Sequence, residues 1–148
     1  MRPTYETSED RANQELVKTK IEMIMQQPLH ELPPRHSFDY AATRQGEITH
    51  MIEVKCRTNP LNEYPTFMLC LEKFHNAFTY CQINEFLQAT LWVQWTDALG
   101  SIDMFQPFND WRMGGRSDRG DSQDIGVVIH IPIENFTIHK DPLRNERN

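Results

Sequence analysis

Two runs of alternating polar and apolar residues flank Gly46, and that pattern commits this part of the chain to a β-hairpin. His36 to Thr43 and Glu47 to Arg57 follow the period of two that strands require. Between them Arg44-Gln45-Gly46 reads as a three-residue loop whose glycine suits the left-handed position such loops need. The expected register sets Thr43 opposite Glu47, Tyr40 opposite His50 and Asp39 opposite Met51. One face then collects Phe38, Tyr40, Ala42, Ile48, Ile52, Val54 and Cys56 as a core face. The other collects Ser37, Asp39, Ala41, Thr49, Met51, Glu53 and Lys55, with Glu53 on the diagonal from Asp39. A slip of one residue would send Asp39 and Glu53 to opposite faces, so the whole reading rests on the register.

Two carboxylates and an ammonium on one surface suit phosphodiester chemistry. Mg²⁺ takes oxygen ligands, keeps several waters and needs only one or two protein carboxylates. Lys55, one pleat along, is placed to offset charge on phosphate oxygens. The plain alternative is a set of solvated charges on an exposed sheet face.

The run His36-Ser37-Phe38-Asp39-Tyr40-Ala41-Ala42, followed by Ile52-Glu53-Val54-Lys55-Cys56-Arg57, resembles the catalytic core of the PD-(D/E)XK nuclease superfamily. There an acid on one central strand precedes an acid-x-Lys on its antiparallel neighbour. Phe38 stands where the family's proline precedes the first acid. The variants most similar to this chain are the small ones of bacteria and their viruses. The resemblance implies a restriction-endonuclease-like α/β (α+β) fold, a mixed central sheet flanked by helices. It also implies hydrolysis of DNA by in-line attack of a metal-activated water, with Mg²⁺ as cofactor and Mn²⁺ as substitute. Carried over by residue, Asp39, Glu53 and the Val54 carbonyl become metal ligands and Lys55 the cation that positions the water. A glutamate on the first helix would complete the metal site, Glu15 being the choice and Glu22 the competitor, each with the alternative of a solvated helix charge. Dimers are common among single-domain nucleases of this fold, so a homodimer is the accompanying expectation.

The remaining segments supply the frame. Thr7-Ser8-Glu9-Asp10 start a helix that runs to about Gln27, with Leu16, Val17, Ile21, Ile24 and Met25 as its apolar stripe. Pro28 and Pro33-Pro34 end it. A second helix is expected from about Thr66 to Gln82, a strand over Thr90 to Trp95, another through Ser101 to Gln106, and a last one from Ile125 to Ile133. Residues 109–124 read as a flexible loop whose Arg112, Arg116 and Arg119 suit a phosphate-clamping flap, and residues 140–148 as a frayed tail. Arg57, Lys73, Arg116 and Arg119 are the candidate substrate contacts, Lys73 having the alternative of a helix-surface lysine.

At 148 residues the chain is expected to form one domain. Without a long apolar run or a signal segment it is expected in the cytoplasm of a bacterium or a phage-infected host, with no membrane partner. Cys56, Cys70 and Cys81 lack CxxC spacing and read as reduced core thiols, and six histidines show no zinc-ligand spacing. The net charge of −6 argues against a protein that coats nucleic acid non-specifically. It leaves room for a nuclease, whose metal site is itself acidic. The other readings are a non-catalytic module of the same fold that binds nucleic acid or protein, and an assembly protein whose acidic face is incidental.

Overall fold

The structure, a computed structural model, describes residues 7–115 and 125–143. Helix α1 (Ser8–Met25) begins at Thr7, whose hydroxyl accepts from the Asp10 N–H while the Asp10 carboxylate accepts from the Thr7 N–H. This reciprocal box satisfies two N–H groups that the first turn otherwise leaves unpaired. The helix stops at Gln26, in the left-handed conformation, two residues before Pro28. Val17 and Ile21 are buried as expected, whereas Leu16 is half exposed.

Six strands form the main sheet in the order β1-β2-β3-β5-β6-β9. They are β1 (Leu29–Glu31), β2 (Tyr40–Arg44), β3 (Glu47–Cys56), β5 (Gln88–Gln94), β6 (Leu99–Asp103) and β9 (Thr137–His139). All its junctions are antiparallel except β3 with β5. That parallel pair needs a crossover, and the crossover carries helix α2 (Leu71–Ile83). A separate three-stranded sheet, order β4-β8-β7, is built from β4 (Thr66–Cys70), β7 (Trp111–Gly115) and β8 (Ile125–Pro132). The mixed sheet with its helices is the α+β architecture expected, and the second sheet is an addition to it.

The main sheet is covered on both sides. Helix α1 packs Val17 and Ile21 on Tyr40, Ala42, Ile52, Val54 and Trp92. Helix α2 and the small sheet pack Phe74, Ala77, Phe67, Leu69 and Ile129 on Ala41, Met51, Leu91 and Val93. Glu53 and Lys55 alternate with Val54 and therefore lie on this second side, which is a packed interface and not the exposed sheet face of the plain alternative. The central residues Met51–Val54 are buried, as befits a strand enclosed by two layers. Trp92 and Trp95 fall on opposite sides, as strand alternation requires.

Several expectations are corrected. The hairpin turn is not the three-residue loop. Arg44 pairs with Glu47, leaving Gln45 and Gly46, both at positive φ (54° and 80°), as a two-residue turn. Thr43 pairs with Ile48 and Ala42 with His50, so Thr49 is an extra residue in β3, a bulge. Gln27 fixes it by donating to the Thr49 hydroxyl at 2.7 Å and to the Thr43 carbonyl at 3.2 Å. Ile48, between the bulge and the turn, is 51% exposed instead of buried. His36–Asp39 form a bend ahead of β2, which takes Phe38 to the α2 side with Met51.

The expected second helix is in its first part strand β4, because Thr66-Phe67-Met68-Leu69-Cys70 pairs with β8 and buries only Phe67 and Leu69. Trp111–Gly115, placed in the loop by sequence, pair with β8, and β9 precedes the tail. Residues 116–124 and 144–148 lie outside the described residues. Cys81 is buried, whereas Cys56 and Cys70 are exposed free thiols, not core residues. Among the described residues no helix is long and apolar enough to cross a membrane.

Candidate active site

Asp39 is placed by a tight segment between β1 and β2. The Leu32 N–H donates to the Asp39 carbonyl (2.9 Å), and the Asp39 N–H donates to the Ile52 carbonyl (3.0 Å). Its carboxylate then accepts from the Val54 N–H at 2.8 Å. Asp39 is thus bonded to the residues on either side of Glu53 and sits across from it. The expected diagonal is replaced by a closer, facing arrangement. The two-residue turn shifts the register by one and the bulge by one more, so the pairing moves by two and the acids keep a common face.

Glu53 is 2% exposed. Lys55 Nζ stands 3.4 Å from its Oε1 and Lys73 Nζ 3.3 Å from its Oε2. Lys73 donates its hydrogen bond to the Ser37 carbonyl at 2.7 Å, and Glu53 Oε2 is buried without a hydrogen-bond partner. Burial pushes the Glu53 carboxyl above the ordinary carboxylate range. Lys55 pulls it back, Asp39 raises it further and Lys73 opposes that rise. A buried carboxylate facing a second acid, balanced by two ammonium groups but with one oxygen accepting no hydrogen bond, is a costly local arrangement that a divalent cation would relieve further.

Lys73 reaches the site because α2 starts only at Leu71. Lys73, Ala77 and Tyr80, at helical spacing, line the stripe that faces the Asp39 segment. Tyr80 Oη lies 3.1 Å from His36 Nε2, and its ring meets Phe38 edge-on at 5.7 Å. His36 Nδ1 accepts from the Phe38 N–H, which in the neutral ring leaves the proton on Nε2, directed at Tyr80. Sequence reasoning missed Tyr80, for which the 73/77/80 spacing was the available signal, and gave His36 no role beyond its place in the hairpin run.

The first-helix glutamates separate. Glu15 and Asp39 line one cleft, together with Arg11, Gln14 and Glu31. Glu22 accepts from the Leu29 N–H at 2.9 Å and so anchors the start of β1. Arg57 lies two residues beyond Lys55, with its guanidinium over the Phe67 ring at 4.6 Å. Arg116 and Arg119 fall outside the described residues. Arg112 is held by Asp110 through two hydrogen bonds of 2.9 and 2.8 Å.

Asp39, Glu53 and the Val54 carbonyl are a set of hard oxygen donors, the kind Mg²⁺ and Mn²⁺ take. The buried Oε2 of Glu53, which faces the Lys73 ammonium but accepts no hydrogen bond, fits such an ion. Among the described residues no group of three or more His, Cys, Asp or Glu side chains is gathered closely enough to hold an ion alone. Backbone carbonyl, water and phosphate oxygens would have to fill the remaining positions.

Residues 1–139 match the family model described as "Phage putative PDDEXK endonuclease". Among solved structures, Hjc, a Holliday junction resolvase from Archaeoglobus fulgidus, aligns with a TM-score of 0.44 and 14% identity, over 63% of this chain and 74% of its own. No curated protein matches the sequence.

Proposed function

This chain belongs to the family of phage PD-(D/E)XK endonucleases, and from its site we propose that it is a metal-dependent nuclease hydrolysing DNA phosphodiesters, with Asp39, Glu53 and Lys55 as its catalytic residues. The observation that carries the reading is the buried Glu53 carboxylate, set across from Asp39 and flanked by two ammonium groups within 3.4 Å.

Asp39, Glu53 and the Val54 carbonyl would hold Mg²⁺ or Mn²⁺, and Glu15, across the cleft it shares with Asp39, would act on the ion through a bridging water. An ion held by these residues would polarise the phosphodiester and make an adjacent water more acidic. The rest falls to the chain's own groups. Lys55 Nζ orients the attacking water and, with Lys73, offsets charge developing on the phosphorus oxygens. The hydrogen bond from the Val54 N–H holds the Asp39 carboxylate in one orientation, so little reorganisation is needed during reaction. Packing of α2 and the small sheet excludes bulk water from the Glu53 side, which strengthens each of these interactions. Arg57, with Arg116 and Arg119, would contact the flanking backbone, and a homodimer would deliver two such sites to two strands.

Incubation with single-stranded, duplex and branched DNA in Mg²⁺ or Mn²⁺ tests this directly. Wild type should cleave, and Glu53→Ala and Lys55→Ala should each lose roughly 10²–10³-fold or more of the rate. Cleavage that survives both substitutions assigns the activity elsewhere. Binding without cleavage, indifferent to chelator, would make the chain a non-catalytic DNA-binding module.

A further inference from the structure

Past Lys55, the side of β3 that carries Glu53 leads into a second cleft. The Arg57 N–H continues the ladder to the Gln94 carbonyl at 2.8 Å, so Arg57 keeps the alternation and follows Glu53 and Lys55 on one side. At about 3.3 Å per residue it lies roughly 13 Å from Glu53, a short run of nucleotides away. Its guanidinium rests on the Phe67 ring and, among the described residues, donates to the neighbouring Cys56 carbonyl at 3.2 Å. No carboxylate pairs with it among the described residues. Arg57 is half-buried, so part of its hydration is lost with no carboxylate to replace it, and a planar guanidinium is the group best matched to a phosphate.

The cleft in front of it has a volume of about 530 Å³ and is bounded by Arg57, Asn59, Tyr64, Trp95, Arg112 and His130. Tyr64 is 60% exposed, an aromatic side chain left in solvent at the rim. Arg112 is held by Asp110, His130 Nδ1 by the Thr66 hydroxyl at 2.9 Å, and the Asn59 amide donates to the Pro60 carbonyl at 3.0 Å. Arg57, without a carboxylate partner among the described residues, and Tyr64, in solvent, are the groups most open to a ligand. A cation beside an exposed ring is the combination that binds unpaired nucleotides, the ring stacking on a base and the cation meeting the backbone. A pocket of this size admits one nucleotide and excludes a duplex.

We propose that this cleft is a subsite for an unpaired nucleotide of the substrate strand, Arg57 pairing with its phosphate and Tyr64 stacking on its base. The preferred substrate is then DNA that is single-stranded beside the cut. The inference deepens the nuclease reading and rests on it for the cutting, but strand capture can be measured without cutting.

Fluorescence anisotropy of a labelled oligothymidine and of a blunt duplex, both in chelator, separates the two ideas. Arg57→Gln and Tyr64→Ala should each weaken binding of the single strand about tenfold and change duplex binding less than twofold. Arg57→Lys, which keeps charge and loses the planar fork, should fall between. Tyr64→Ala, at an exposed rim position, keeps the test valid if Arg57→Gln does not fold. Unchanged single-strand binding in both variants overturns the proposal, as does an equal loss for single strand and duplex. Selective loss with no cleavage by wild type would leave the subsite standing and remove the nuclease reading. Cleavage with no selective loss would do the reverse.

Discussion

Replacing Lys73 by methionine probes how far the site depends on charge balance. Lys73 Nζ is 3.3 Å from Glu53 Oε2, and the two side chains are 25% and 3% exposed. At an effective dielectric of about 20, unit charges at that separation attract by roughly 5 kcal/mol. Lys55 remains 3.4 Å from the other oxygen, and solvent reaches the lysine end, so the net charge-dependent loss should be about 1–3 kcal/mol. A further ~1 kcal/mol, independent of pH, follows from losing the hydrogen bond to Ser37.

The charge-dependent part has a definite sign. Burial already lifts the Glu53 carboxyl above its ordinary value of 4.5, so ionisation is disfavoured in the folded state. Stability attributable to this group therefore falls as pH rises from 4.5 to the lifted value and is level beyond it. Removing Lys73 lifts the group further and extends the fall upward. Urea denaturation of wild type and Lys73→Met across pH 4 to 9 should show the difference between them growing with pH, and the acidic limb of the cleavage profile should move to higher pH. In a Glu53→Gln background the same substitution should give a difference that does not vary with pH. A stability difference flat across the range in the wild-type background would refute the claim that Lys73 senses Glu53 ionisation.

Three other outcomes follow from particular contacts. Glu15→Gln should weaken Mn²⁺ binding roughly tenfold in titration calorimetry, whereas Glu22→Gln should leave it unchanged and lower the unfolding midpoint, because Glu22 anchors Leu29; the opposite pattern would exchange their roles. Gly46→Ala meets nothing within 4 Å but must hold a φ of 80°, so it should cost about 1 kcal/mol by urea denaturation, with Gln45→Gly recovering part of that at the neighbouring position; equal stability would speak against this turn. Asp141→Asn leaves the buried Lys20 ammonium with Gln94 but without the carboxylate 3.0 Å away, and should lower stability by about 1–3 kcal/mol in urea denaturation; an unchanged midpoint would speak against the pair.

The hairpin and first helix could be read from the chain because their signals are local. Thr7 and Asp10 are three apart, Gly46 marks its turn, and apolar and charged residues alternate from Ile52 to Cys56. The register was harder, since nothing local distinguishes a three-residue loop from a two-residue turn followed by a bulge. The bulge depends on Gln27, twenty-two positions before Thr49. Two single-residue slips happened to preserve the common face of the acids. Strand β4 was hidden for a different reason: its apolar residues run straight into the stripe of α2, and only pairing with β8, some sixty residues on, makes it extended. Arg57 and Lys73 could be named as cations, but which one meets Glu53 and which faces an open cleft is fixed by packing between layers.

The single parallel junction, β3 with β5, also bears on when the site comes into being. The hairpin can bring Asp39 and Glu53 together early, while loop closure is short, but it does so without Lys73. Lys55 comes with β3 itself and offsets one of the two charges, whereas the second lysine arrives only with the crossover that carries α2 and docks β5. Until then the pair of acids keeps one uncompensated charge. Assembly of this sheet should therefore quicken as the acids are protonated, and the amides of β3 should be among the last to exchange with solvent, protected by strands on both edges and by a layer on each side.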